Sequence, residues 1–259
     1  MLNLIERRKE IVRLTETNER VDVEALAKQF AVSAVTIRND LNALSAKGLV
    51  VRSRGGAVAS TRLTRELSLQ EKYRKNLSVK RQLGQTVADL IDDEARSLFL
   101  DSGTTTEEVA LCLLGRTNLT VTTNGLNIAT ALAGSDGVEV RITGGALRKK
   151  SRSFYGRQAE ESLRYMHFDT LILGADGVDM RVGVTTHFEQ EASLNRMMCQ
   201  AARQVILVAD SSKFERRNSH VICRLSEIDM LVTDNGLPSE IQRAVEAQGV
   251  RLYVVGRTT

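Results

Sequence analysis

The sequence is short of cysteine, proline and long apolar runs, and each shortage narrows the class of protein. Its three cysteines, Cys112, Cys199 and Cys223, lie far apart and form no Cys-x-x-Cys pair. This spacing predicts buried, reduced thiols and argues against a zinc site or a disulfide framework. The only proline, Pro238, stands where a final helix should begin, a position that tolerates the missing N–H.

Membrane and metal classes are disfavoured in the same way. No stretch approaches the roughly 18 consecutive apolar residues that a membrane-spanning helix needs. The first eight residues, MLNLIERR, are too charged for the apolar region of a signal peptide. The three histidines, His167, His187 and His220, share no metal-ligand spacing. We therefore expect a soluble cytoplasmic chain with no membrane partner, no metal and no cofactor.

What the chain does contain is a large apolar fraction and an uneven distribution of charge. Its 259 residues are 42% hydrophobic, enough for one large domain or two unequal ones. Residues 1–85 hold 17 Lys and Arg against 9 Asp and Glu, whereas residues 86–259 hold 19 against 23. A basic head on an acidic body predicts that one module meets a polyanion, although a solvated basic surface would look the same.

The head has the pattern of a winged helix-turn-helix. Helical spacing of apolar residues predicts helices over residues 4–16 and 23–30, and Ser33 suits the N-cap of a third helix. A short strand from residue 49 enters a glycine turn and continues over residues 57–60. Three short helices followed by a basic β-turn-β element predict a DNA-binding domain over residues 1–60.

The third helix is the candidate recognition helix. Ile37, Leu41 and Leu44 fall on one face and should be buried. In the major groove, Arg pairs with guanine and Asn with adenine, while hydroxyl groups reach phosphates. The alternative is an ordinary solvated face. We predict DNA contacts from the outward side of this helix and from the wing: Ser33, Val35, Thr36, Arg38, Asn39, Asn42, Arg52 and Arg54.

Beyond the head, the pattern becomes an alternation of strands and helices. Residues 61–77, with Lys and Arg in excess, are interpreted as a polar linker into a second domain over residues 78–259. An open, largely parallel α/β sheet is predicted, with its ligand at the carboxyl ends of the strands. Its strands are expected at 97–100, 119–122, 138–142, 170–173, 205–208, 230–232 and 252–255.

Small polar residues follow several of these strands. Backbone N–H groups and hydroxyls at a strand-to-helix junction suit an anion, and a lysine adds charge for phosphate. One such loop alone would predict only an N-capped helix, but several at one sheet edge favour a phosphate site. The predicted ligand residues are Asp101, Ser102, Gly103, Thr104, Thr105, Thr106, Thr123, Asn124, Gly125, Gly144, Gly145 and Lys213.

Four carboxylates near these loops have two interpretations. Asp101, Asp176, Glu189 and Glu191 could move protons as general acids and bases, or they could accept hydrogen bonds from hydroxyl, amino or acetamido groups of a ligand. A sensor joined to a DNA-binding head needs no chemistry. We therefore assign no catalytic residue and place all four in the binding site.

Taken together, these motifs identify a family. The chain resembles DeoR-type regulators of sugar metabolism in the order and spacing of seven segments. Residues 153–156 and 183–192 resemble the AgaR-like regulators of amino-sugar pathways. The seven segments are Val32–Leu41, Arg54–Ala57, Asp101–Thr106, Thr123–Gly125, Gly144–Gly145, Gly174–Gly177 and Asp210–Phe214.

The resemblance implies a fold and a function. From about residue 78 the chain should be similar to ribose-phosphate isomerases and glucosamine-phosphate deaminases, with that fold used for sensing. It implies a homo-oligomeric repressor, dimer or tetramer, that binds operator DNA and is released by a phosphorylated sugar. His187 would then lie near the sugar, and Tyr155 would line the pocket or an interface. An isomerase or deaminase with a basic head, an activator, and a sensor of another phosphate stay open as alternatives.

Overall fold

The computed structural model describes residues 3–18, 20–46, 49–53, 55–59 and 66–256. Its contacts divide the chain into two units, Met1–Arg65 and Glu66–Thr259. The domain boundaries expected from the sequence stay a prediction. Residues 66–77, part of the expected linker, fall within the second unit.

The first unit contains three helices and a small antiparallel sheet in the order β1-β3-β2. The three helices and the hairpin confirm the predicted winged helix-turn-helix, and the short strand β1 is an addition to it. The elements are α1 (Leu4–Asn18), β1 (Arg20–Asp22), α2 (Val23–Phe30), α3 (Ala34–Ala46), β2 (Val50–Ser53) and β3 (Gly56–Ala59).

Local signals explain the turn between α2 and α3. The carboxylate of Asp22 caps α2 by accepting the backbone N–H groups of Glu24 and Ala25, at 2.8 and 3.2 Å. Ala31 ends that helix in the left-handed conformation, with φ of 53°. The helices then enclose a core that includes Ile11 and Ile37, both fully buried.

The second unit begins with two helices and continues as alternating strands and helices. Its helices are α4 (Leu69–Tyr73), α5 (Leu77–Leu90), α6 (Thr104–Cys112), α7 (Leu126–Leu132), α8 (Arg157–Leu163), α9 (Glu189–Ala201) and α10 (Ser239–Glu246). Its strands are β4 (Ser97–Leu100), β5 (Leu119–Thr123), β6 (Val138–Ile142), β7 (Ala146–Arg148), β8 (Ser153–Tyr155), β9 (Phe168–Leu173), β10 (Gly177–Asp179), β11 (Gly183–Thr186), β12 (Ala202–Val208), β13 (His220–Cys223), β14 (Met230–Asp234) and β15 (Arg251–Val255).

Seven of these strands form one parallel sheet in the order β6-β5-β4-β9-β12-β14-β15. They are the seven strands expected from the sequence, so the α/β class is confirmed. The small antiparallel sheet β10-β11-β13 and the hairpin β7-β8 were not predicted. All seven parallel strands end at the same edge, where their following loops meet.

Apolar side chains cover both faces of the sheet. One cluster includes Phe99 and Leu171, and the cluster on the opposite face includes Leu100 and Ile172. Successive side chains of a strand point to opposite faces, so burial on both sides requires a continuous apolar run. This requirement explains why the runs in the sequence predicted the strands.

The sequence predicted a chain with no disulfide, no membrane-spanning helix and no metal site, and the structure describes the residues concerned. All three cysteines are free thiols, but Cys199 and Cys223, distant in sequence, are hydrogen-bonded to each other. That bond and burial raise the pKa of Cys223. Within the described ranges, no helix is long and apolar enough to cross a membrane. In the same part of the chain, no group of three or more His, Cys, Asp or Glu side chains is placed to hold a metal ion.

Candidate functional site

The outward face of α3 carries the residues that the sequence assigned to DNA. Val35, Arg38, Asn39 and Asn42 are exposed along one side of the helix. They follow the i, i+3, i+4, i+7 spacing of a single helical face. The opposite side is buried in the core through Ile37, Leu41 and Leu44. Packing therefore leaves a polar stripe free to enter a groove.

The start of α3 is fixed by its own hydroxyl groups. Ser33 Oγ accepts the backbone N–H of Thr36 at 3.0 Å, which is the N-cap that the sequence predicted. The two side-chain hydroxyls also lie 2.8 Å apart. Arg38 lies 3.5 Å from Glu24, and both side chains are mostly exposed. Such a surface pair contributes little to stability and leaves Arg38 free to exchange partners.

Of the two wing arginines predicted to contact DNA, only Arg52 lies within the described residues. Arg52 donates from Nη1 to the carbonyl of Gly56 at 2.6 Å and is half-buried, so it braces the hairpin. Arg54 lies outside the described residues. A Cβ at Gly56 would stand 1.9 Å from the Val21 carbonyl oxygen, so only glycine allows β3 to approach β1 this closely.

A buried ion-pair cluster, which the sequence pattern did not predict, joins α3 to α1. Asp40 is 1% exposed and accepts from Arg7 at 2.7 Å and from Arg8 at 2.8 Å. Both arginines belong to α1, whereas Asp40 lies on the inward side of α3. An acidic residue at a buried helical position is the signal that could have revealed a partner, since isolated buried charges are costly.

At the edge of the parallel sheet, three buried asparagines surround the loop after β4. Asn124 accepts the N–H of Ser102 at 2.9 Å. Asn127 donates to the carbonyl of Gly103 at 3.1 Å. Asn195 donates to the carboxyl group of Asp101 at 3.4 Å. The sequence predicted Asn124 in this site, and the structure adds the other two.

Each of these asparagines keeps one amide atom without a partner in the described structure. These atoms are Asn124 Nδ2, Asn127 Oδ1 and Asn195 Oδ1, on side chains that are at most 7% exposed. Buried polar groups without a hydrogen bond are rare because they cost free energy. Donors and acceptors gathered around one loop could be satisfied by a polar ligand.

The threonines that follow Gly103 differ in what they can offer. Thr104 and Thr106 are buried, and Thr106 Oγ1 donates to the Gly103 carbonyl at 3.2 Å. Thr105 is half-exposed at the first turn of α6. Of the three predicted hydroxyls, that of Thr105 is therefore the most accessible to an anion at the helix N-terminus.

Three other predicted residues have structural contacts. Thr123 Oγ1 donates to the Leu100 carbonyl at 2.7 Å and accepts the N–H of Gly125 at 2.9 Å. Gly144 and Gly145 have φ of 69° and 100°. A Cβ at Gly145 would stand 2.5 Å from the Tyr155 carbonyl oxygen. Thr123 and Gly145 thus shape the loops through their contacts with the backbone.

Buried charges complete the site. Asp176 pairs with Lys72 at 2.6 Å and accepts from Thr186 at 3.2 Å. Burial opposes ionisation of Asp176, but Lys72 and Lys213 lower its pKa well below the usual value. Burial likewise opposes the charge on Lys72, yet Asp176 raises the pKa of Lys72. These two residues therefore form a charged pair at neutral pH.

Two further lysines, Lys213 and Lys80, carry positive charge that neighbouring carboxylates neutralise less completely. Burial lowers the pKa of Lys213, with Asp210 and Asp176 opposing the shift. Burial also lowers the pKa of Lys80 to about 8, and Lys213 and Lys72 add repulsion. Clustered ammonium groups of this kind favour a phosphate, which would supply the missing negative charge. The sequence named only Lys213 of the three.

The two glutamates at the start of α9 differ in exposure and in contacts. Glu189 is exposed, whereas Glu191 is buried and accepts from the hydroxyls of Ser151 and Ser153, each at 2.6 Å. Arg148 approaches Glu191 at 3.5 Å. Of this pair, Glu191 is therefore the one held within the polar network.

Asp101 differs from the other carboxylates because it has no cation beside it among its main electrostatic partners. Burial first, and then the nearby charge of Glu191, raise the pKa of Asp101 to about 8. Its Oδ2 accepts the N–H of Gly174 at 3.2 Å. At neutral pH Asp101 is mostly protonated and can donate a hydrogen bond.

Replacing Asp101 with asparagine should change how stability depends on pH. The folded pKa of about 8 lies above the ordinary 3.8, so the folded state binds more protons between these values. Wild-type stability must then fall as pH rises through this window and level off above it. The free energy gained by Asp101→Asn should grow by about 2–4 kcal/mol from pH 5 to pH 8. Urea unfolding across that range measures it.

Asp169→Asn is the matched control for this substitution. The backbone N–H of Arg96 lowers the pKa of Asp169 below its ordinary value, so this variant should show no such gain on the alkaline side. Parallel pH profiles for wild type and Asp101→Asn would contradict a buried neutral carboxyl group.

A winged helix-turn-helix joined to a parallel α/β unit with a polar site at the sheet edge is the architecture of a transcription regulator with a sensor domain. The chain belongs to the DeoR family of such regulators. The DeoR-like helix-turn-helix domain matches residues 7–62, and the DeoR C-terminal sensor domain matches residues 75–235.

Individual relatives extend over almost the whole chain. It is 44% identical to the putative aga operon transcriptional repressor of Escherichia coli O157:H7, covering 97% of this chain and 94% of that one. It is 36% identical to the regulator GlpR of Haloferax volcanii, covering 95% of each. Ribose 5-phosphate isomerase A of Methanocaldococcus jannaschii is a solved structure with 13% identity, covering 55% of this chain and 56% of that one, with a TM-score of 0.41.

Proposed function

We propose that this chain is a cytoplasmic repressor of a sugar catabolic operon, released from its operator by a phosphorylated sugar. The observation that carries the sensor part is the group of three half-satisfied asparagines around residues 101–103. Sugar hydroxyls both donate and accept hydrogen bonds, so one small ligand could satisfy amide oxygens and an amide nitrogen together.

The phosphate of the effector is assigned to the cationic side of this site. Lys72, Lys80 and Lys213 lie close enough to influence one another's pKa. Thr105 adds a hydroxyl at the N-terminus of α6, where backbone N–H groups favour an anion. Ser102, Gly103, Thr104, Thr106 and Gly125 complete the loops around it.

The carboxylates are assigned to the sugar. Glu191 is buried and Asp176 is half-buried, each beside hydroxyl groups and a cation, and both could accept hydrogen bonds from hydroxyls or an amino group. The similarity to the aga operon repressor supports an amino-sugar phosphate. Such selectivity needs donors and acceptors matched to one ligand, because an unmatched buried group costs free energy.

DNA binding is assigned to α3 and the wing. Two copies of the chain would place two recognition helices on repeated half-sites of an operator. Release requires that the sugar phosphate bind more tightly to a conformation that fits the operator less well. A coupling of about 1–3 kcal/mol, or 5- to 150-fold, is sufficient for induction.

The test is an operator gel shift with the DNA upstream of the chain's own gene. We expect binding at low salt, strong weakening as salt rises, and release by an amino-sugar phosphate such as N-acetylgalactosamine 6-phosphate. Release only by glycerol 3-phosphate or fructose 1-phosphate would support the repressor mechanism but assign the protein to a different metabolic pathway. Failure of folded protein to bind this DNA would overturn the proposed function.

A sugar-phosphate isomerase or deaminase is the second candidate. The protonated Asp101, with a pKa of about 8, favours it, since general acids work with pKa values near the operating pH. Turnover assays with ribose 5-phosphate and glucosamine 6-phosphate separate the two functions. We expect no turnover, because the proposed role of Asp101 is hydrogen bonding to the ligand.

Arg38→Ala should weaken operator binding by about 1–3 kcal/mol and leave sugar-phosphate binding unchanged, because Arg38 lies on the exposed stripe of α3. Titrations in gel shifts and calorimetry measure the two affinities. Arg13→Ala, on the exposed surface of α1, is the control and should bind operator like wild type. Equal loss of both functions in Arg38→Ala would contradict the separation of roles.

A further inference from the structure

The segment that enters the second unit, residues 66–76, has a defined docked conformation. Ser68 and Glu71 form a capping box at the start of α4, each side chain bonding to the other's backbone N–H. Leu69 is buried, and its N–H donates to the carbonyl of Lys150 at 3.0 Å. The segment is thus attached to the second unit immediately after the first unit ends.

Its first residue makes the strongest of these attachments. Both carboxylate oxygens of Glu66 contact the Arg148 guanidinium, with Nη2 at 2.7 Å from Oε2, and Lys150 lies at 3.1 Å. Both partners of the Glu66–Arg148 pair are largely buried, at 12% and 15% exposure. Two-point contacts between arginine and carboxylate are strong and directional.

Arg148 is shared with the proposed effector site. The same guanidinium lies 3.5 Å from Glu191 and stacks on the ring of Phe188 at 4.4 Å from its centre. Glu191 is itself held by two serine hydroxyls. One cation therefore stands between a carboxylate assigned to the sugar and the carboxylate that begins the segment.

The rest of the segment shares partners with the site as well. Lys72 pairs with Asp176 at 2.6 Å. Asn76 donates to Asp210 at 3.1 Å, and Asp210 is among the groups that act on the pKa of Lys213. A ligand that draws on these groups changes the partners of the segment. The free energy of ligand binding is therefore coupled to the free energy of docking this segment on the second unit.

We propose that Glu66 and Arg148 are positioning residues that couple the effector site to the DNA-binding unit. A bound sugar phosphate takes up Lys72 and Glu191, the contacts of Arg148 and Asp176 rearrange, and segment 66–76 loosens. Because the chain connects this segment to the first unit, its loosening changes the restraint that the sensor places on that unit. This inference rests on the proposed function of the same site.

The test replaces Glu66 with alanine and compares operator affinity with and without N-acetylgalactosamine 6-phosphate. Wild type should lose affinity by about 5- to 150-fold on adding the sugar phosphate. Glu66→Ala, whose segment is already loosened, should bind operator more weakly than wild type without ligand and lose about twofold at most when the sugar phosphate is added. By calorimetry the variant should bind the sugar phosphate at least as tightly as wild type, because the two binding events are linked. Glu161→Ala, which removes an exposed pair with Arg164, is the matched control.

A second measurement needs no ligand. Hydrogen exchange of the amides in residues 66–76 should be faster in Glu66→Ala than in wild type, while amides of the parallel sheet stay equally protected. Glu66→Asp, which keeps the charge, should restore part of the protection. A merely structural role would instead alter exchange throughout the unit.

The possible results distinguish a failure of this inference from a failure of the proposed function on which it rests. Wild-type protein that no sugar phosphate releases from the operator would overturn the proposed function, and this inference with it. Wild type and Glu66→Ala released to the same extent would overturn this inference alone. Unchanged exchange of residues 66–76 in the variant would also overturn it.

Discussion

Lys213→Met is expected to weaken release by the sugar phosphate strongly while operator binding persists. Lys213 is half-buried, and desolvation lowers its pKa while the charges of Asp210 and Asp176 oppose that shift. A phosphate that contacts it gains a charge-assisted hydrogen bond, which methionine, similar in length, cannot provide. Loss of about 1.5–3 kcal/mol corresponds to a 10- to 150-fold weaker effector affinity. Calorimetry gives the affinity, and gel shifts give the release.

Lys149→Met controls for a general loss of positive charge. Lys149 is exposed in the second unit, so its replacement should leave effector affinity unchanged. Thermal unfolding of both variants shows whether the fold is kept. Wild-type effector affinity in Lys213→Met would place the phosphate elsewhere. A loss of operator binding as large as the loss of effector binding would contradict the separation of the two sites.

Asp40→Ala should unfold the first unit and eliminate operator binding. The substitution leaves Arg7 and Arg8 without the carboxylate that both contact at under 3 Å. Removing one partner from a buried ion pair costs about 3–5 kcal/mol, a large part of the stability of a small domain. Hydrogen exchange should lose protection across α1 and α3, while the amides of the parallel sheet keep theirs.

Glu10→Ala removes a carboxylate from an exposed pair with Arg13 on the same helix. This control should leave stability essentially unchanged, since exposed pairs contribute little. Full protection of α3 in Asp40→Ala, with normal operator binding, would show that Asp40 does not hold the recognition helix. Effector binding should persist in Asp40→Ala because its residues lie in the other unit.

The parallel sheet could be predicted because burial on both faces forces long apolar runs. Residues 205–208 and 230–232 have no polar side chain and lie inside the sheet. The hairpin β7-β8 could not be predicted in this way. Its strands have three residues each, and its turn is rich in charged and hydroxyl residues that are typical of a loop. Short strands of this kind depend on tertiary contacts more than on local pattern.

The site was predictable only where it follows the strands. Asp101 and Asn124 end neighbouring parallel strands, so topology brings them together. Lys72 gave no such signal, because its partner Asp176 lies 104 residues away and the surrounding charges suggested a solvated linker. Thr123 shows a different case, since it lies at the predicted edge of the sheet but its hydroxyl bonds to the backbone. The periodicity of the sequence does not show whether a polar side chain faces a ligand or bonds to the backbone.

The order of strands in the parallel sheet also sets a sequence of events during synthesis. The interior strand β4 (Ser97–Leu100) is hydrogen-bonded to the central strand β9 (Phe168–Leu173), about 70 residues further along the chain. The sheet cannot close until that later strand has left the ribosome, and such distant pairings form slowly. The winged helix-turn-helix has all its elements by Ala59 and can fold first. A nascent chain would then present a folded DNA-binding unit before it has a completed sensor.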